Sequence, residues 1–280
     1  MSVTNFIPQI WSARLLEHLD KTHVYANLFN RDYEGEIKNF GDTVKINQIG
    51  NVTIKDYEKG KDIDVPEELS GEQQLLTIDQ AKYFNFGLDD INAAQVNPKL
   101  MDKAMQRAAY GLNDTTDQYL ANLLAAASTG NIGDDTTPIV PTEADAYDYL
   151  VELATLLTEQ NVPTIGRWAV IPAWYHGLLL KDKRFVGNGT DFNTAILQGG
   201  AVGKAAGFTI HLSNNVPNTS GTKYKISAGT NEAASFAEQI IKTEAYRPES
   251  RFSDAVKGLH VYGAKVLQPK CLVTLTANRK

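Results

Sequence analysis

The sequence predicts an α+β fold organised around one unusually long helix, and three stretches carry that prediction. In Asn97–Ser128, Met101, Met105, Ala108, Leu112, Tyr119, Leu120, Leu123, Leu124 and Ala127 recur at three- and four-residue steps. Asp102, Lys103, Arg107, Asn113, Asp114, Asp117 and Gln118 fall opposite them. A two-armed β segment precedes this helix, and a terminal run, Leu259–Leu275, is apolar on both faces and interrupted by Pro269. At ~1.5 Å per residue a helix of roughly 30 residues is a rod about 45 Å long, whereas a mean globular helix has about 11–12 residues. Such a rod needs a long surface to lie on, and the terminal run is long enough to supply one.

The chain opens with an arm, Met1–Leu28. Phe6-Ile7-Pro8 reads as extended, and Ile10, Trp11, Leu15, Leu16 and Leu19 then trace an apolar helical stripe. An amphipathic segment this far from the main helix either docks on its own subunit or reaches a neighbour. In the β segment, Val44 and Ile46 alternate with Lys45 and Asn47 across Thr43–Ile49, Gly50-Asn51 marks a bend, and Val52 and Ile54 resume. The return arm is Leu75–Phe86, with Leu76, Ile78, Tyr83, Phe84 and Phe86 as strand formers. Between the arms lies Asp56–Glu72, with turn formers Gly60, Pro66 and Gly71. Its acids are Asp56, Glu58, Asp62, Asp64, Glu67, Glu68 and Glu72, against Lys59 and Lys61. The spacing is not that of a twelve-residue calcium loop, so a solvated charged tip is expected. A two-stranded hairpin is marginal in water, and the chain offers this one no evident cover.

After the long helix, Thr129–Pro141 is a loop rich in Gly, Asp, Thr and Pro. Thr142–Asp145 resembles a capping box with the shorter acid in its last place, opening a helix with Tyr149, Leu150, Leu153, Ala154, Leu156 and Leu157 on its apolar side. Arg167–Ile171 reads as a buried strand stopped at Pro172, which starts a helix to Lys181. Phe185–Gly207 is glycine-rich but binds no nucleotide by motif. The phosphate-loop frame puts Gln198 where its first glycine belongs and Ala205 where a hydroxyl is needed, and the Rossmann frame meets Phe192 in place of its third glycine. Phe208–Leu212 and Lys223–Ser227 read as strands around a turn-rich loop, Ser213–Gly221, and Glu232–Gln239 as a short helix.

Composition narrows the function classes. A chain of 280 residues, 42% hydrophobic, fits one large domain or two modest ones. A net charge of −6 gives no global field for nucleic acid or anionic membrane. The single Cys271 forms no intramolecular disulfide, fits a reducing compartment, and sits in an apolar run as a buried small hydrophobe. No basic-then-apolar leader and no apolar run of ~18 residues occurs, so a soluble intracellular protein is expected. His18, His23, His176, His211 and His260 are scattered; His18 and His23 are five apart, not a ligand pair on one helix face. His176 and His260, among Trp174, Tyr175 and Tyr262, read as structural histidines. With no H-E-x-x-H, C-x-x-C or G-x-S-x-G, neither catalysis, metal nor cofactor is expected.

One family shares this order: an arm, a polar-tipped hairpin beginning GDTVKI, a long helix, a mixed domain with RWAVIP and GGAVGKAAGFTIHLSNNVP, the segment AASFAEQI, and a terminal DAVKGLHVYGAKVLQPKCLVTL. In it the chain resembles the major capsid proteins of tailed bacteriophages with the Hong Kong 97 type fold, across nearly its whole length. The resemblance implies an arm (1–34), an extended loop (35–86), a peripheral domain with the spine helix and its sheet (87–140 and 241–280) and a mixed axial domain (141–240). It implies a virion protein assembled in the host cytoplasm into pentamers and hexamers of an icosahedral head. Further implied partners are a separate scaffolding protein, a portal and non-specifically contacted DNA, with no membrane. Interface candidates are Ile7 and Trp11 in the arm, Lys55, Tyr57, Glu58, Lys59, Lys61 and Ile63 in the loop, and Asn218 in Ser213–Gly221. That loop, or Gly187–Thr194, is expected nearest the capsomer axis.

Some members of the family carry a cleaved scaffolding region before the arm; this chain starts at the arm, implying a separate scaffold or a mature form. Others join a loop lysine to a neighbour's asparagine. Lys55, Lys59 or Lys61 and Asn278 could fill those two places, but no acid matches the third, and cross-linking is not expected. Three other functions compete: a nanocompartment shell of the same fold, told by cargo in place of DNA; a monomeric α+β enzyme; and a tail or head-completion protein forming rings or tubes.

Overall fold

The computed structural model describes residues 23–33, 40–49, 53–54, 56–57, 59–60, 62, 71–89, 99–182, 203–249 and 253–279. The arm's helical stripe, the Asn97-Pro98 helix start, and Gly187–Thr194 lie outside them.

The long helix, α1, runs Lys99–Ala127, 29 residues. Met105, Ala109, Leu112, Thr116, Leu120, Ala121 and Leu124 form its buried stripe. Two residues assigned from sequence to its polar face are buried instead, Asn113 and Asp117. Asp117 stands three before Leu120 and four before Ala121, inside the stripe, and burial is possible because partners wait for its carboxylate. Leu120 is fully buried, so Leu120→Ala is expected to cost roughly 2–5 kcal/mol in chemical denaturation; unfolding like wild type would refute the phase of the stripe.

The rod lies on two sheets. Near its start, Met105, Ala109 and Leu112 pack on Val256, Phe84 and Phe86; these belong to a three-stranded sheet of β10 (Ala234–Tyr246), β11 (Ser253–Val266) and β3 (Gln80–Asp89), in that order. Near its end, Leu120, Ala121 and Leu124 join the main core beside a seven-stranded sheet. That sheet runs β4 (Gly130–Ile132), β12 (Leu272–Asn278), β9 (Lys223–Gly229), β5 (Trp168–Ile171), β7 (Phe208–Leu212) and β6 (Lys204–Ala205), with β8 (Asn218–Thr219) on β9. The terminal run is therefore not one strand pair. A 3-10 turn at Pro269–Cys271 divides it, sending β11 to one sheet and β12 to the other. Proline lacks the N–H a continuous ladder requires.

Two further expectations are corrected. Glu232–Gln239 is not a helix: a 3-10 turn, Asn231–Ala233, leads into β10, which pairs with β11 from Ala234↔Val266 to Tyr246↔Ala255 with a bulge between Ile240 and Lys242. The local Ala/Glu/Gln composition favours helix, and long-range pairing overrides it. The return arm Leu75–Phe86 is two strands. β1 (Thr43–Ile49) pairs with β2 (Gly71–Thr77), while β3 leaves to pair with β11. The hairpin closes at its base, where the Gly41 N–H donates to the Ile78 carbonyl at 3.0 Å and the Ile78 N–H to the Asp42 carbonyl at 3.1 Å.

Helices α2 (Ala146–Glu159) and α3 (Ala173–Lys181) contribute Leu150, Leu153, Leu157, Tyr175 and Leu179 to the main core. Only half of the capping box expected before α2 forms: Asp145 Oδ1 accepts from the Thr142 N–H at 2.5 Å and from its hydroxyl at 2.9 Å, so that hydroxyl does not cap, and the helix begins at Ala146, later than the expected Thr142. At the other end Arg167, 4% exposed, donates to the carbonyls of Ala154, Val162 and Pro163 at 3.0, 2.7 and 2.9 Å. A cation at a helix C-terminus meets the negative end of the dipole and unpaired carbonyls together. Cys271 is buried, as expected, and burial pushes its thiol up.

Candidate assembly surfaces

The hairpin is anchored by its stem, and the described residues beyond the stem are exposed. Period-two alternation puts Val44, Ile46, Leu76 and Ile78 on one face, where they pack with Ala237, Val261 and Leu267 of the subunit's own chain. The stem thus has the cover that the sequence did not reveal. Gly263 makes the contact possible, because a Cβ there would stand 2.3 Å from the Thr77 carbonyl oxygen. Beyond the stem, Ile54 and Tyr57 are 95% and 75% exposed. Asp56, Lys59 and Asp62 are exposed too. Of the loop candidates, Tyr57 and Lys59 are thus at the surface, and Lys55, Glu58, Lys61 and Ile63 lie outside the described residues.

The root of the arm belongs to its own subunit. Tyr25, Ala26, Leu28 and Phe29 enter the main core, the Asn30 N–H donates to the Ala234 carbonyl at 2.9 Å, and the Phe236 N–H donates back to Asn30 O at 2.9 Å. Ile7 and Trp11 lie outside the described residues. Asn218 is exposed in β8, opposite Tyr224.

A buried ionic cluster fastens this root. The imidazole Nδ1 of His23 is 3.2 Å from Asp117 Oδ1, and its Nε2 is 3.6 Å from Glu238 Oε2. The neighbouring Val24 N–H donates to Asp117 Oδ2 at 2.8 Å. On β10, Glu238 receives His260 Nε2 at 3.1 Å and the Arg31 guanidinium. Burial alone would push His23 down, but the hydrogen bond to Asp117 and the charges of Glu238 and Asp117 outweigh it and hold the imidazole up at about 9. Burial would raise Glu238; the neighbouring His23 and the hydrogen bond from His260 hold it far below the carboxylate range instead. Arm, spine helix and both long strands thus meet in one network. Sequence reading missed it, although Asp117's place within the apolar stripe was the available signal. His260, expected to be structural, takes its place in this network. Among the described residues no cluster of His, Cys, Asp or Glu is placed to hold a metal ion, and no helix is long and apolar enough to cross a membrane.

A rooted arm, a hairpin and a rod-like helix spanning two sheets, in this order, define a shell subunit of the Hong Kong 97 type. A family model described as phage capsid protein matches residues 71–275, and the chain belongs to that family. It is a structural major capsid protein. Among solved structures, one from Mycobacterium phage Che8 is 30% identical with a TM-score of 0.76, covering 91% of both chains. The bacteriophage PhiM1 mature capsid is 16% identical with a TM-score of 0.63, over 89% of this chain and 87% of that one. A virus-like particle from Pyrococcus furiosus shares the fold at 12% identity and a TM-score of 0.59, over 95% of this chain and 98% of that one. No curated protein matches the chain.

Proposed function

We propose that copies of this chain associate as pentamers and hexamers into the icosahedral head of a tailed bacteriophage, which encloses its DNA. The hairpin carries the proposal: its stem is fixed in its own sheet while Ile54 and Tyr57 beyond it stand exposed. Burying apolar area contributes ~25 cal/mol/Å² to association as to folding, so such a projection favours a neighbour. The interface candidates Ile7, Trp11, Lys55, Tyr57, Glu58, Lys59, Lys61, Ile63 and Asn218 belong to this reading, with Ser213–Gly221 or Gly187–Thr194 nearest the capsomer axis. So does the division into arm (1–34), extended loop (35–86), peripheral (87–140 and 241–280) and axial (141–240) parts, with β4 and β12 crossing it to enter the seven-stranded sheet. A separate scaffolding protein and a portal complete the partners, and assembly takes place in the host bacterial cytoplasm. The net charge of −6 favours weak, non-specific contact with packaged DNA, since salt-dependent adhesion needs clustered Lys and Arg.

Negative-stain electron microscopy of the expressed protein tests this. Closed shells are expected; rings, tubes or a monomer at every concentration would overturn it. Shells filled with protein cargo in place of DNA would favour a nanocompartment.

A further inference from the structure

The three-stranded sheet carries a different element on each face. β11 is regular along its pairing with β3, so Val256 and Val261, an odd number of residues apart, point to opposite sides. Val256 packs with Phe84 and Phe86 against Met105, Ala109 and Leu112 of α1. Val261 packs against Val44, Ile46, Leu76 and Ile78 of the hairpin stem. Rod and stem therefore cover opposite faces of one sheet, and the two sides differ in charge. On the solvent face of α1, Lys103, Gln106, Arg107, Tyr110, Gln118 and Asn122 are exposed. No described acid of α1 joins them: Asp117 is buried beside His23, and half-buried Asp114 accepts from Asn215 at 2.8 Å and from Gln118 at 2.9 Å. Two residues before Phe84, Lys82 is exposed on the same side of β3 and borders the same open surface as Arg107. Lys82, Lys103 and Arg107 enter no salt bridge among the described residues. The hairpin, whose stem lies on the other side, carries a tip with seven acids against two lysines.

Resting on the shell-forming reading above, we propose that the solvent face of α1 lines the shell's interior and touches packaged duplex DNA through its phosphates, with Lys82, Lys103 and Arg107 as the cationic contacts. Charge selects the occupant. In a chain of net charge −6, a polyanion meets least repulsion where the exposed charges are positive. Lys103 and Arg107 stand one turn apart on the rod and Tyr110 one turn further, so the three follow one line along it. Tyrosine hydroxyls and Gln and Asn amides also donate to phosphate, and such contacts carry no sequence information. Three cations in each copy hold DNA weakly. A shell repeats them in every subunit, so the wall retains the duplex without fixing any one stretch of it. The same segregation of charge turns the hairpin face, with its acids, to the outside.

The test uses the full chain, unassembled and in DNA-filled shells. The unassembled protein is expected to bind a fluorescent duplex of mixed sequence with a log–log salt slope of about −2.7, roughly 0.9 for each of three phosphate contacts. Lys103→Gln with Arg107→Gln should weaken that binding about tenfold or more at low salt and flatten the slope by about 2. The thermal midpoint and the shell yield of this variant should match wild type. In filled wild-type shells, formaldehyde should join Lys82 or Lys103 to the DNA, as read by mass spectrometry of the digested protein. Unchanged affinity and slope in the double variant overturn the proposal, as do cross-links confined to Arg14 or Lys21 of the arm. A variant that binds DNA normally but forms no shells also overturns it, making this face a contact between copies. If wild type itself forms no shells, the shell-forming reading falls and this assignment with it; filled shells without cross-links at Lys82 or Lys103 reject the α1 face alone.

Discussion

Replacing Glu58–Ser70 by a short Gly-Ser turn is expected to leave the subunit's thermal midpoint within a few degrees of wild type and to abolish closed shells. The fold supplies the reason for the first half. The hairpin's contribution to its own subunit comes from Val44, Ile46, Leu76 and Ile78, packed on Ala237, Val261 and Leu267, and the replacement leaves all of them in place. The second half follows from what the tip carries: seven acids against two lysines from Asp56 to Glu72. Sedimentation of the variant should show monomers or loose capsomers. High salt should imitate part of the defect, because exposed charges farther apart than ~8–10 Å are screened at ordinary ionic strength and closer ones are reached as salt rises. Shells of normal size and yield would make the tip a surface ornament. A subunit that no longer folds would make it part of its own core.

The arm root should be held most firmly in mildly acidic solution and loosen in alkali. His23, near 9 in the folded protein against an ordinary 6.5, contributes stability that is fully present below 6.5 and is lost as pH rises through 9. At about 1.4 kcal/mol for each pH unit between the two values, that contribution is on the order of 3 kcal/mol. Glu238 behaves oppositely. Its folded value lies below the ordinary one, so its contribution is complete above about 4.5 and fades only as pH falls toward the depressed folded value. Thermal midpoints should therefore decline between pH 6.5 and 9.5, with faster hydrogen exchange at Val24–Leu28, and His23→Gln should flatten that decline. Glu238→Ala should cost roughly 3–5 kcal/mol at neutral pH, because it leaves His23, His260 and Arg31 facing one another without their shared carboxylate. A midpoint indifferent to pH over this range, or a Glu238→Ala protein as stable as wild type, would show that the cluster does not hold the arm.

Local signals were readable wherever a single element satisfied itself. The helical phase of Leu112, Leu120 and Leu124, the acid half of the Thr142–Asp145 box, the stop at Pro172 and the alternation of Val44 and Ile46 each rest on neighbours a few residues away. Where the partner is distant, the same signals misled. Ala234–Gln239 has a helix former's composition and became a strand, because β11 offers a complete ladder for it. Asp117 looked like a solvent-facing acid because nothing nearby in the chain announces His23, 94 residues away.

Sequence alone determined the order of the parts and, through it, the resemblance to phage capsid proteins, since periodicity, turn formers and breakers are properties of short windows. It also determined the acidic excess of the loop, which depends on composition and on no contact. Only the tertiary structure decided which surfaces are already occupied. It covered the hairpin stem, split the terminal run between two sheets at Pro269, and drew His23, Asp117, Glu238 and His260 into one buried network. The physical reason is that burial and charge pairing are set by groups far apart in the chain, and proximity between such groups exists only once the sheets have formed.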